Sequence, residues 1–214
     1  AEGWTVACVD AAKDELREES LASPDLVALH LPMHTATRLA GPVIAAARRV
    51  NPAARICAFE LYAPLNAGWL RSIGVDDVLG GEFEEELTAI ARSLAGAHDE
   101  RVRAGRVPSP AGSPPRIHFL VPDRSGLPPL SQYATLRTAD GATRLVGYTE
   151  ASRGCRHMCR HCPVVPIYNG QFRVVQADVV LADIAAQVAS GAGHITFGDP
   201  DFLNGPTHAM RIVE

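Results

Sequence analysis

Residues 152–163 read SRGCRHMCRHCP, and this stretch decides how the chain is understood. Cys155, Cys159 and Cys162 stand at the spacing C-x3-C-x2-C. Three thiolates so close in sequence can share one metal centre. They are one ligand short of a closed structural site, so a coordination position stays open to another ligand. Iron–sulfur clusters are held by cysteine thiolates. Three cysteines can hold three irons of a [4Fe–4S] cube and leave the fourth for a small chelating molecule. Two other centres use similar donors. A Cys3His zinc site could draw on His157 or His161, although no second CxxC or HxxxH motif supplies the usual partner knuckle. An electron-transfer ferredoxin needs a fourth cysteine, and Cys8 and Cys57 lie far away in sequence.

Working outward, the residues before the loop alternate in the β manner. YATLRTADGATRLVGYTEAS (133–152) predicts a strand, a turn at Asp140-Gly141 and a second strand running into Cys155. CPVVPIYNGQFRVVQ (162–176) reads as a loop. A helix is expected from about Ala177 to Ser190, with Val179, Val180, Ile184 and Val188 facing a core. Gly191 and Gly193 end it. HITFGDP (194–200) is the next strand and THAMRIVE (207–214) begins another helix. The cysteine loop therefore falls at the carboxyl end of a strand, where parallel α/β architectures bind ligands.

The first half also alternates. WTVACV, DLVALHL and ARICAFE read as buried parallel strands, and VDDVLGG as a shorter fourth. Helices are expected from about Lys13, Ala36 and Leu65. GEFEEELTAIARSLAG (81–96) is the clearest helix, with Phe83, Leu87, Ile90, Ala91 and Leu94 on one stripe. Its acidic start suits the helix dipole, and Gly96 suits the C-cap. Such alternation predicts βαβ units around a parallel sheet. Cys8 and Cys57 lie in apolar runs and are expected to be core residues. Ala97 to Arg116 is rich in proline, glycine and arginine and reads as a linker.

The bulk composition narrows the classes. Apolar residues are 47% and charged residues 21%, as in an ordinary α/β protein. The formal charge of -4 gives no footprint for nucleic acid. No apolar run is long enough to cross a bilayer and no signal peptide is visible, so a cytoplasmic location is expected. An odd count of five cysteines argues against a disulfide framework. The chain starts at Ala1 and stops at MRIVE, inside an expected helix. A fragment of a longer protein is the expectation, inactive by itself.

The run SRGCRHMCRHC on a strand end, followed by helix, strand and GDPDF, resembles the radical S-adenosylmethionine (radical SAM) superfamily from about Val146 onward. The resemblance implies that Cys155, Cys159 and Cys162 bind a [4Fe–4S] cluster. SAM would chelate the free iron. Reductive cleavage of SAM would give methionine and a 5′-deoxyadenosyl radical that abstracts hydrogen from an unknown substrate. It also implies an electron donor, either a reductase or a flavodoxin or ferredoxin. His161 replaces the aromatic residue that the family places beside the adenine. Gly198-Asp199-Pro200-Asp201 replaces its Gly-Gly-Glu, so Gly198 and Asp199 are the expected contacts to SAM.

The first half resembles the cobalamin-binding-like, flavodoxin-type domain that precedes many such cores, on GVDDVLGGEFEEEL and the arm DRSGLPPLSQY. The cobalt-ligating Asp-x-His-x-x-Gly is absent, and His30 and His34 follow a strand end. Cobalamin is therefore a candidate cofactor, for radical methyl transfer; a degenerate docking module is the other option. The EASRGC…CRHCP…YNG…GDPDF run also resembles a bacterial radical SAM group with a cysteine- or selenocysteine-containing C-terminal tail. The expected domains are 1–96 (cobalamin-binding-like, without its first strand), 97–145 (linker and connector arm) and 146–214 (the first part of a truncated, TIM-type radical SAM barrel). The alternative function is a non-catalytic zinc or iron–sulfur module with a structural or regulatory role.

Overall fold

The computed structural model describes residues 3–96 and 117–214, so the linker expected at Ala97–Arg116 lies outside the described residues. By contact the described residues form two units. One holds residues 17–96 and 156–171; the other holds 3–16, 117–155 and 172–214.

The first unit is built on a parallel sheet of β1 (Leu26–His30), β2 (Arg55–Phe59) and β3 (Asp77–Val78), in that order. Central β2 buries Ile56, Cys57 and Ala58 completely, whereas β1, which among the described residues pairs with β2 alone, is partly exposed. Helix α1 (His34–Val50) buries Thr37, Ala40, Ile44 and Ala47, a helical stripe of the expected kind. Its last turn is tied to the chain before β3 by Arg48. That guanidinium donates to the carbonyls of Gly74 (2.9 Å) and Ala54 (2.7 Å) and to Asp76 Oδ2 (2.6 Å). Short helices α2 (Tyr62–Leu65) and α3 (Ala67–Ser72) follow β2. Helix α4 (Glu84–Leu94), with Phe83 just before its first turn, sets Ile90, Leu87 and that Phe83 ring against Cys57, Leu79 and Phe59. Leu94, expected on that stripe, is exposed. Gly96 takes φ +82 and closes the helix as expected.

Two tight points follow from this packing. A Cβ on Gly80 would lie 2.2 Å from Pro64 Cγ. A proline ring cannot swing away, so Gly80→Ala is expected to destabilise this unit by about 1–3 kcal/mol, read as a lowered urea midpoint. Cys57 is fully buried, as expected of a core thiol. Burial, then the nearby Asp77 carboxylate, pushes its thiol up from 9.0 to about 12. Below pH 9 the thiol is protonated in the folded and unfolded chains alike. Between about 9 and about 12 only the unfolded chain gives up the proton, so stability falls as pH rises through that window. Iodoacetamide at pH 8 is expected to label Cys8 and Cys159 and to spare Cys57 until urea opens the unit.

The second unit contains β4 (Thr135–Arg137), β5 (Thr143–Thr149) and β8 (His194–Phe197) in one open mixed sheet. β4 and β5 form the expected hairpin, with Gly141 at φ +84 in its turn. β5 and β8 are parallel, with Tyr148 opposite Thr196, and α6 (Ala177–Ala189) connects them. This β–α–β unit is the one expected from sequence. Ala151, Val175, Val179, Val180 and Ile212 of the final helix α7 (Pro206–Val213) form the core. The overall class is α/β, a parallel sheet followed by open βα units, and among the described residues no barrel closes.

Several local expectations are corrected. Trp4–Val9 is not a strand; Val6 and Val9 are exposed and so is Cys8. A strand needs a neighbour for its backbone groups, and among the described residues none pairs with it. No α-helix starts at Lys13. Asp10 closes a single turn by accepting from Lys13 N and Asp14 N (both 2.8 Å). The strand entering the cysteine loop is broken. β5 stops at Thr149, and a separate β6 (Ser152–Gly154) pairs antiparallel with β7 (Phe172–Val174). The expected loop 162–176 therefore contains β7 and the short helix α5 (Val165–Tyr168). On α6, Val188 points to solvent, while Asp183 and Gln187 are buried in its place.

Candidate metal and cofactor site

The backbone ahead of Cys155 is fixed from four directions. The chain bends at Glu150-Ala151, and Ala151 is fully buried. Ala151 N donates to Asp199 Oδ2 (3.1 Å). Its carbonyl accepts from Val175 N (2.9 Å) and from His208 Nε2 (3.0 Å), which as the donor must carry the proton. The Ser152 hydroxyl donates to Asp199 Oδ1. A buried peptide with all its groups satisfied is a stiff pivot. β6 then pairs Gly154 with Phe172, which closes the neck of loop 155–171. Gly154 takes φ +72, a conformation costly for any residue with a Cβ.

Cys155 follows directly and is buried. Its Sγ and a carboxylate oxygen of Asp201 lie within 4.8 Å of each other. Asp201 caps the 3₁₀ turn Phe202–Asn204. Its Oδ1 accepts from Leu203 N (3.0 Å) and its Oδ2 from the Asn204 side-chain amide. The sequence does not predict its closeness to Cys155. The GDPDF motif was its only sequence signal, and a carboxylate near a thiol 46 residues earlier is a matter of tertiary structure.

Cys159 and Cys162 fall in the other unit and share one turn, in which Cys162 N donates to the Cys159 carbonyl (3.2 Å). Cys159 is exposed and Cys162 half-buried, and all five cysteines are free thiols. His161, the expected adenine neighbour, is exposed. Asn169 (φ 46) and Gly170 (φ 76) reverse the chain toward β7, which explains the YNG sequence.

Gly198 and Asp199 sit just past β8. Gly198 N donates to the Thr149 carbonyl (2.8 Å), extending the parallel pairing. A Cβ there would fall 1.7 Å from the Tyr148 hydroxyl, so glycine makes room for the phenol. Tyr148 Oη in turn donates to Glu150 Oε1 (3.0 Å). Asp199 spends acceptor capacity on Ala151 and Ser152, yet a carboxylate has about four lone-pair sites and keeps some for another donor.

Elsewhere in the first unit, His30 ends β1. Its Nε2 is 3.9 Å from Glu60 Oε2, and its ring lies 5.3 Å from that of Phe59. Glu60 takes φ +87, uncommon for a residue with a side chain. His34 begins α1. His30 is the last residue of β1 and His34 lies just past it, at the carboxyl end of the strand, the ligand side of an open parallel sheet. In the other unit, a cleft of about 200 Å³ lies between arm residues Phe119–Arg124 and α6. Its charged groups already have partners: Arg124 pairs with Asp183, and Arg153 lies 4.8 Å over the Phe119 ring.

The fold is similar to two solved structures of TsrM, a radical S-adenosylmethionine methyltransferase from Kitasatospora setae. One holds tryptophan substrate and a SAM analogue, aza-SAM; it matches with TM-score 0.70 and 20% identity. The other holds cobalamin and a [4Fe–4S] cluster and matches with TM-score 0.69 and 19% identity. Each match covers 91% of this chain, but only 41% and 42% of the TsrM chains. No protein-family model and no curated protein matches the sequence. At this identity the likeness is one of fold: over the matched part the chain shares an α/β architecture with these structures. Among the described residues no helix is long and apolar enough to cross a membrane.

Proposed function

We propose that this chain is part of a radical SAM enzyme in which Cys155, Cys159 and Cys162 hold a [4Fe–4S] cluster. The observation that carries this is the C-x3-C-x2-C spacing, whose first cysteine directly follows β6, where Gly154 pairs with Phe172 of β7. The donor set fits the group: three free thiols within eight residues, two of them open to solvent at least in part. When bound, such a cluster supplies the electron that splits SAM into methionine and a 5′-deoxyadenosyl radical. The protein's own work is positional. Asp199, His208 and Val175 fix Ala151 and so the entry of the loop. Gly198 and the remaining lone pairs of Asp199 offer acceptors to the SAM ammonium, and His161 offers a ring to the adenine. A reductase, flavodoxin or ferredoxin in the cytoplasm supplies the electron, and 1–96, 97–145 and 146–214 are kept as the proposed domains of this reading.

Cobalamin is the second cofactor of this proposal. It is favoured by the parallel β1–β3 sheet with His30 at its carboxyl edge, and by likeness to a methyltransferase solved with cobalamin bound. The reaction would then be methyl transfer to an unidentified substrate.

The test is anaerobic iron and sulfide analysis of the full-length protein, with EPR of the reduced form with and without SAM. A [4Fe–4S] signal that changes on adding SAM is expected. An EPR-silent protein loaded with zinc would instead support the non-catalytic metal module.

A further inference from the structure

We propose that Asp201 tunes the electron affinity of the cluster through its charge beside Cys155. This rests on the cluster reading above and deepens it. Three observations combine. An Asp201 carboxylate oxygen and Cys155 Sγ lie within 4.8 Å of each other. The carboxylate is held in place, because Leu203 N and the Asn204 amide both donate to it. Cys155 is buried, so water screens this charge less than it would at a fully exposed thiol.

The sign follows from electrostatics. One-electron reduction by a low-potential donor adds a negative charge to the cluster, with no bond made or broken. A fixed negative charge near a ligand sulfur opposes that addition. Net charge, hydrogen bonds to sulfur and solvent exposure are the protein's means of setting cluster potentials. Asp201 thus makes the reduced cluster a stronger reductant, which suits the cleavage of a bond that resists reduction. Asp199 has a different task, since its carboxylate ties down Ala151 and Ser152.

The experiment is a redox titration of the anaerobically reconstituted full-length protein, followed by EPR, without SAM. Asp201→Asn removes the charge and keeps a side chain able to cap Leu203 N. Its midpoint potential is expected to rise while iron and sulfide content match the wild type. Asn204→Ala removes one donor to Asp201 and keeps the charge, so its midpoint is expected to stay near the wild-type value. An unchanged midpoint in Asp201→Asn at full iron content overturns the proposal. So does an equal rise in Asn204→Ala, which would assign the effect to the turn. Loss of iron from Asp201→Asn alone overturns it in favour of a role in assembly. A wild-type protein that takes up no iron overturns the cluster reading itself, and this inference with it.

Discussion

Serine in place of Cys155, Cys159 or Cys162, one at a time, is expected to cut cluster iron more than ten-fold. Alanine in place of Cys57 and serine in place of Cys8 should leave it unchanged. The contrast matters more than any single loss. All five thiols are free, so redox state alone does not separate them. Placement does. Cys57 is fully buried in the centre of β2 among Leu79, Ile90 and Phe59, where burial also disfavours the thiolate that metals need. Cys8 stands in an extended segment of the other unit, against Gly126. Only the loop offers three thiols in one short run with two accessible to incoming iron. Two remaining thiolates hold a cube at two corners, and a hydroxyl is a poor ligand for iron in a sulfide cluster. Iron and sulfide analysis with the absorbance near 400 nm gives the answer. A variant at any loop cysteine that keeps full iron would remove that residue from the ligand set, and Cys57→Ala that loses iron would place the centre elsewhere.

The elements that were legible in the sequence are those whose pattern is local. α1, α4 and α6 show a helical period, and β2 is an apolar run bounded by turn formers. The cysteine loop was legible for the same reason, since its spacing is contained in eight residues. What escaped depends on distant partners. Trp4–Val9 has the composition of a strand, yet composition does not supply a neighbour. β6 and β7 have three residues each and exist because Gly154 meets Phe172 across the loop. On α6 the core stripe was assigned to apolar residues, but positions 183 and 187 share a face with Val179 and Val180 and are polar. Their burial depends on Arg124, which comes from the irregular arm far earlier in the chain. A period search reads such residues as solvent-facing, so Val188 was turned inward in their place.

That polar cluster gives the largest stability effect expected outside the loop. Asp183 has 2% of its surface exposed. Arg124 meets it with both terminal nitrogens, Nη1 at 3.0 Å from Oδ1 and Nη2 at 3.1 Å from Oδ2. The Thr149 hydroxyl (2.8 Å) and Gln187 Nε2 (3.1 Å) also donate to Oδ2. The cluster holds β5 as well: Gln187 Oε1 accepts from Tyr148 N (2.8 Å), and the Tyr148 carbonyl accepts from both Gln187 and Arg124. Removing one partner of a buried ion pair leaves the other charge without compensation, at about 3–5 kcal/mol. The Arg124 side chain is 36% exposed and two donors to Asp183 survive, so Arg124→Ala should fall at the low end, about 3 kcal/mol. Asp183→Asn removes the charge that needs compensation. The double variant Arg124→Ala/Asp183→Asn is therefore expected to be less destabilised than the two single losses sum to. Trp4 lies in the same unit as this cluster and Trp69 in the other. A Trp69→Phe background lets Trp4 fluorescence in urea follow the relevant transition. Strict additivity of the two substitutions would mean that Arg124 and Asp183 are neighbours without energetic coupling. The arm would then be held by Phe119, packed against the cluster of Val175, Val179 and Val180, and by the hydrogen bonds of Gln176 to Ile117 and Phe119.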